Sequence, residues 1–282
     1  MAAALATSLS TIDSIIPSAF RLPDPLWVRL QALLPPHPRR PKGGRPPADD
    51  RQCMEGIFYV IRTGCQWCAL PRCFGTKPTT HGRFQQWAEA GVFHKAWKRG
   101  LLFYDEEIGI NWTWQSIDGA MSKAPLGGVA TGPSPTDRAK KGTKRSLQTE
   151  GAGVIIGLTV GPANRNDHKM LLPTLESRPV RPPRGTRQNM CLDKGYDYNE
   201  ARDVLETNDF VAHIRSRGEE KIEMERNRKR KPRRWVVERA ISWMNRFRGL
   251  LIRREKKLEN YRVLAQFVCA FIAYHAARLW SN

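Results

Sequence analysis

Three acids in this chain stand where a carboxylate could work on a phosphate. Asp118 lies in SIDGA and Asp193 in CLDKG, each closing a short apolar run with a glycine just beyond. Each run predicts a strand that ends at its Asp. In open α/β sheets, ligand chemistry gathers outside the carboxyl ends of strands. Glu238 lies in RWVVERAISWMNRFR, inside a run from Pro232 to Leu251 whose spacing predicts one amphipathic helix. At about 100° per residue, with Arg234 at zero, Glu238 falls near 40° and Asn245 near 20°, opposite the apolar stripe. Three carboxylates without a His or Cys cluster select a hard ion, Mg²⁺ or Mn²⁺, over zinc. Two such ions about 3.5–4 Å apart can clamp the attacking and leaving oxygens of an in-line phosphoryl displacement.

Each acid alone also has a duller explanation. An Asp before Gly is often a turn residue, and Arg234 and Glu238 are spaced as an ordinary i,i+4 pair. Asp197 is a decoy of similar quality to Asp193. Asp137 and Asp167 sit in turn and helix-capping contexts, and His168 reads as a polar residue at a helix start.

The elements that must position these acids emerge from the chain in order. Residues 20–34 predict a short helix, with Asp24 as its cap and Pro25 in its first turn. A Pro-, Arg- and Gly-rich tract at 35–47 reads as an arm suited to a phosphate backbone. Helices are predicted at 50–62 and 78–90, the second with Phe84 and Trp87 facing inward. Short helices joined by Gly turns fit a helix-turn-helix module. Lys77, Thr79 and Arg83 are its DNA-facing candidates, with Lys95 and Arg99 as phosphate contacts. Strands follow in INWTWQSIDGA, SLQTE and GVIIGLTVGP, then a helix HKMLLPTLES that Asp167 would cap. A strand at 190–192, a helix at 199–206, a strand FVAHIRSR, the helix bearing Glu238 and a last helix at 261–279 complete the chain. Strands alternating with helices predict an α/β fold. The organisation expected is a loosely ordered extension at 1–19, a helical DNA-binding domain at 20–104 and a catalytic domain at 105–282.

Composition narrows the partners. The chain has 282 residues, with 47 Lys plus Arg against 27 acids, a formal net charge of +20. That excess points to a polyanion, and nucleic acid fits better than a membrane surface. No run approaches the length of about 18 apolar residues that a spanning helix needs, and residues 1–19 lack the pattern of a signal peptide. Six cysteines show no secreted disulfide pattern and fit a reducing cytosol. Cys65, Cys68, Cys73 and His81 begin like a metal knuckle, but no second ligand pair follows at the usual distance. Buried thiols without zinc are the expectation.

Asp118, Asp193 and Glu238, with Arg234-x3-Glu238-x6-Asn245, resemble the Asp-Asp-Glu signature of bacterial insertion-sequence transposases, in particular the fifth large insertion-sequence family. The stretches DRAKKGTKRS, ANRNDHK and HIRSRGEE resemble that group as well. The resemblance covers roughly residues 20–280; Cys68 and Cys73 depart from the more polar turn expected there. It implies a ribonuclease-H-like catalytic core, a mixed sheet flanked by helices, behind a small all-α helix-turn-helix-like domain. It further implies two divalent ions, Mg²⁺ with Mn²⁺ as substitute, held by Asp118, Asp193 and Glu238. Arg234 would steady Glu238 or a phosphate, and Asn245 would touch DNA or the helix bearing Glu238. Lys140, Lys141, Lys144 and Arg145 would join the DNA contacts. The partners expected are double-stranded DNA, at element ends and target site, and a second copy of the chain once DNA is bound. The expected location is the bacterial cytoplasm, at the nucleoid. The alternatives are a catalytically inactive, domesticated DNA-binding protein, against which the intact acids argue, and a basic RNA-binding structural protein.

Overall fold

The computed structural model describes Ile12 and residues 15–37, 46–214 and 235–280. The basic run 221–234, with Arg234 and Pro232, lies outside the described residues, as do residues 38–45 of the first basic tract. Among residues 1–19, the described part is not a loose extension: Ile12 and Ile16 are buried against Val60, Leu70 and Phe74.

Among the described residues, four α-helices open the fold. Helix α1 (Asp24–Gln31) carries Pro25 in its first turn. Asp24 does not cap it; its carboxylate accepts from Arg51 Nη2 at 2.7 Å. Helix α2 (Asp50–Thr63) is capped by Asp49, which accepts from the Gln52 amide at 2.7 Å. It stops at Gly64, whose φ of 71° favours glycine. Helices α3 (Lys77–Glu89) and α4 (Val92–Glu107) follow, and Phe84 and Trp87 are buried as expected.

The sheet contains β1 (Trp114–Lys123), β2 (Gly132–Pro133), β3 (Lys141–Thr149), β4 (Ile155–Pro162), β5 (Gln188–Leu192) and β6 (Phe210–Ile214). Its main order is β4-β3-β1-β5-β6, with the two-residue β2 beside the start of β3. Strands β4, β3 and β1 pair antiparallel, and β1, β5 and β6 pair parallel. An antiparallel trio extended by parallel strands is the ribonuclease-H-like arrangement. Helices α5 (His168–Glu176) and α6 (Asn199–Thr207) pack with Ile117, Met190 and Leu192 on one face. Helices α7 (Trp235–Asn245), α8 (Arg248–Leu251) and α9 (Leu258–Trp280) cover Leu147 on the other.

Three expectations are corrected. Strand β1 does not end at Asp118 but runs five residues further, because its second half pairs with β3 from Asp118↔Leu147 to Lys123↔Gly142. The strand expected at SLQTE starts earlier, at Lys141, so most of the basic run 140–145 forms the start of β3. The predicted single helix is two, α7 and α8, broken where Phe247 turns extended (φ −94°, ψ 92°). Its ring is buried edge-on against Phe58 and Phe271, and continuing the helix would pull it out of that cluster.

The opening helices share one hydrophobic core with the sheet and the closing helices. Phe58, Phe84, Phe93 and Trp97 belong to the same cluster as Leu147, Ile155, Met244 and Phe267. Trp97 is fully buried, and its Nε1 donates to the Ile155 carbonyl at 3.1 Å. Gly100 lets α4 approach α9: a methyl group there would stand 3.3 Å from the Ala270 carbonyl oxygen.

Candidate active site

Register sets the two aspartates side by side. Strands β1 and β5 are parallel, with Ser116 opposite Cys191. Asp118 and Asp193 each follow by two residues. Side chains alternate along a strand, so both acids belong to the face of Ser116 and Cys191, at one level on neighbouring strands about 4.8 Å apart. On β1 that face also carries Ser122, whose Oγ donates to the Leu250 carbonyl of α8 at 2.7 Å. The aspartates therefore share the face on which α7 and α8 pack. Strand β5 stops at Leu192 while β1 continues, so Asp118 lies at the step where its neighbour ends. The Asp118 and Asp193 carboxylates accept from the next amide, Gly119 N at 2.7 Å and Lys194 N at 2.6 Å.

Tyr196 reports on the same corner. Its hydroxyl is pushed well above the usual phenol range, first by burial and then by Asp167, Asp118 and Asp193. Three separate segments thus bring carboxylates within electrostatic reach of one hydroxyl.

Glu238 is exposed in the first turn of α7, opposite the buried Val236, Val237, Ala240 and Met244. Helix α7 lies across β1 and β3. Among the described residues, no three His, Cys, Asp or Glu side chains are gathered closely enough to hold one ion. The aspartates form the aligned part of the site, and Glu238 belongs to a separate element packed on the same face. Asn245, at the end of α7, accepts from Arg145 Nη2 at 2.8 Å.

The decoy Asp197 and the two turn and capping acids each pair with a cation. Asp137 pairs with Lys123 at 3.4 Å, Asp167 with Lys144 at 2.8 Å and Asp197 with Arg202 at 2.6 Å. Asp167 occupies the N-cap position of α5 without a capping side-chain hydrogen bond.

The proposed DNA contacts divide. Lys77, Thr79, Lys95, Arg99, Lys140 and Lys141 are exposed. Arg83 is turned inward, its side chain 14% exposed, with Nε 3.6 Å from Asp50 and Nη2 2.9 Å from His37 Nδ1. Lys144 and Arg145 are buried, which corrects their assignment as DNA contacts. They lie on β3, covered on both faces, where Lys144 meets Asp167 and Arg145 meets Asn245.

Arg239 was missed from sequence. Its guanidinium lies over the rings of Trp235 and Trp243, 4.5 and 4.9 Å from their centroids, and donates to the Ala152 carbonyl. That contact ties α7 to the β3–β4 turn. The i,i+4 spacing of Trp235 and Arg239 and of Arg239 and Trp243 was the available signal. In the cysteine turn, Cys68 donates to Gln66, and the His81 ring packs against Trp67 and Phe84.

A ribonuclease-H-like sheet with a basic helical layer packed on it is the build of a DDE-type transposase. The chain belongs to that family: the model described as transposase DDE domain matches residues 115–274. A second, described as putative transposase of IS4/5 family, matches residues 22–97. A putative transposase for insertion sequence element IS402 of Burkholderia cepacia is 32% identical over 159 residues, 52% of this chain and 70% of the relative. The insertion element IS402 uncharacterized 16.2 kDa protein of the same organism is 32% identical over 116 residues, 40% of this chain and 79% of the relative. A pre-cleavage Mos1 transpososome aligns at 12% identity and a TM-score of 0.27, over 74% of this chain and 80% of that one. The mariner Mos1 paired end complex with Mg aligns at 12% identity and a TM-score of 0.27, over 80% of this chain and 85% of that one. Among the described residues, no helix is long and apolar enough to cross a membrane.

Proposed function

We propose that this DNA transposase binds the terminal inverted repeats of its insertion sequence, cuts there and joins the freed ends to target DNA, using Asp118, Asp193 and Glu238. The parallel register that places Asp118 beside Asp193, on the face where α7 packs, carries this reading. The family implies divalent metal use, and the donors fit it: carboxylate oxygens suit Mg²⁺ or Mn²⁺. Asp118 and Asp193 would hold two such ions, and Glu238 would complete the shell of one. When bound, the ions would polarise the scissile phosphate and stabilise the attacking and leaving oxygens.

The chain's own residues set the rest. Asp118 and Asp193, fixed by the sheet, give the reacting phosphate a defined place. Water adds to phosphorus, the 3′ oxygen leaves as a 3′-hydroxyl, and that hydroxyl later displaces a 3′ oxygen of the target. Lys140 and Lys141, before and at the start of β3, and Lys77, Thr79, Lys95 and Arg99, on α3 and α4, would track the phosphate backbone. Arg234 would steady Glu238 or a phosphate. Joining two ends needs two protein–end complexes together, so a dimer or larger assembly forms on DNA, in the bacterial cytoplasm at the nucleoid.

The test is cleavage of a duplex carrying the element's end, taken from DNA flanking the gene, in Mg²⁺ and Mn²⁺. Nicking at the element boundary, lost in Asp118→Asn, is the expected result. A wild-type chain that binds its ends yet never nicks them would instead be a domesticated binder.

A further inference from the structure

We infer that Asp167, gripped by Lys144, is a positioning residue for the reaction: its carboxylate lies tight against Gly119 with its second oxygen on the side of Gly195, and it fixes the segments bearing Asp118 and Asp193 relative to each other. The inference rests on the proposed roles of those two aspartates.

The two glycines carry the argument. Gly119 follows Asp118 directly, and a methyl group there would stand 2.9 Å from Asp167 Oδ1. Gly195 lies two residues past Asp193, and a methyl group there would meet Asp167 Oδ2 at 3.9 Å. One carboxylate therefore lies between the two segments, Oδ1 close against Gly119 and Oδ2 on the side of Gly195. A side chain at Gly119 would collide with it or push it away; one at Gly195 would meet it at ordinary contact distance.

The carboxylate is itself held. Lys144 Nζ donates to Asp167 Oδ1 at 2.8 Å and to the Arg165 carbonyl at 2.9 Å. Lys144 is 5% exposed and projects from β3, the antiparallel neighbour of β1. A charge so buried is costly without a partner, so Lys144 and Asp167 bind each other firmly. Asp167 sits at the N-cap position of α5 without capping it; its side chain lies against the middle of β1 and faces the turn after β5 instead. The wedge lies behind the sheet, on the α5 face, while Asp118 and Asp193 belong to the α7 face. Asp167 thus acts through backbone, like the outer residues that orient ligands in metal sites.

The experiment uses the full chain. Mn²⁺ affinity without DNA is read by electron paramagnetic resonance, and nicking of the end duplex is followed across Mg²⁺ concentrations. Asp167→Ala should weaken Mn²⁺ binding and slow nicking by about tenfold or more, the range for lost outer-layer support, with end binding unchanged. Asp167→Asn keeps the wedge and an oxygen for Lys144 but removes the charge partner of that buried ammonium, so it should lower the melting temperature while holding Mn²⁺ affinity and nicking well above Asp167→Ala. Should Asp167→Ala fold poorly by melting temperature, Gly119→Ala must reproduce the Mn²⁺ defect. Wild-type Mn²⁺ affinity and nicking in Asp167→Ala, or in Gly119→Ala where that stands in, would overturn the inference. So would Asp167→Asn as defective as Asp167→Ala, since the charge would then matter rather than the wedge. Asp118→Asn runs alongside: if it still nicks, the site reading falls and the inference with it; if it is dead while Asp167→Ala is normal, the inference alone falls.

Discussion

Ser116 and Cys191 face each other across the parallel β1–β5 pair, and Asp118 and Asp193 each stand two residues beyond. A slip of one residue between these strands would send the two acids to opposite faces. Buried Ile117, Met190 and Leu192, packed against α5 and α6 on the other face, prevent that slip. The core thus sets the alignment of the acids.

The first prediction follows from this alignment. Asp118→Asn, Asp193→Asn and Glu238→Gln keep shape but lose ligand charge. Each should lower metal-dependent nicking by about 10³-fold or more, and pairs should add little to singles, because the acids act as one unit. End binding, measured by mobility shift, should persist. Asp197→Asn removes only an exposed pair with Arg202 and should keep substantial activity. An inactive Asp197→Asn beside an active Asp193→Asn would reverse the assignment.

Charge gives the second. A net +20 predicts counterion release on DNA binding, so log affinity should fall against log salt with a slope of several units. Lys77→Ala, Lys95→Ala and Lys141→Ala should each reduce that slope by about one if they touch phosphates. Lys144→Met should not, since Lys144 is buried against Asp167. A flat plot would remove the nucleic-acid reading.

Most elements, including the strands that carry Asp118 and lead to Asp193, were legible because apolar runs and glycines mark strand ends and helix stops locally. Gly64 after α2 and Asp193 after β5 are examples. What escaped notice depended on partners far along the chain. Strand β1 runs past Asp118 because β3 is there to pair with it. Lys144 and Arg145 look like DNA contacts until Asp167 and Asn245, 23 and 100 residues away, take them inside. Asp167 looks like a cap because its neighbours Gly119 and Gly195 are distant in sequence.

Thiol chemistry gives the third prediction. Cys68 is exposed, whereas burial pushes the Cys53 thiol up to about 11 and drives Cys269 upward as well. At pH 8 a thiol reagent should label Cys68 fast and Cys53 and Cys269 only on unfolding, since thiolate is the reactive form. The neutral Cys53 thiol favours the folded state fully below the ordinary value of 9.0. That contribution is lost as pH rises toward 11, because the unfolded chain ionises first. Mass spectrometry of labelled peptides checks the order. Zinc should be absent by elemental analysis; near-stoichiometric zinc, lost in Cys65→Ser, would contradict that.

The last prediction concerns where the opening helices get their stability. A separate DNA-binding domain at 20–104, as expected from sequence, would let fragment 1–104 fold and select element ends on its own. Yet Trp97 donates to Ile155 across the core, Phe93 packs on Phe267 with ring centroids 5.1 Å apart, and Gly100 lies against Ala270. All three partners are missing from that fragment. A chain cut at residue 104 would expose this face of α4 and should show weak helicity and no cooperative melt. In the full chain, Trp97→Ala removes a fully buried indole and should cost about 3–5 kcal/mol, because the cavity opens between α4 and β4. Denaturant unfolding followed by circular dichroism would show one transition, with both halves lost together. Two separated transitions, or a fragment 1–104 that melts cooperatively and selects element ends over random duplex, would restore the independent module.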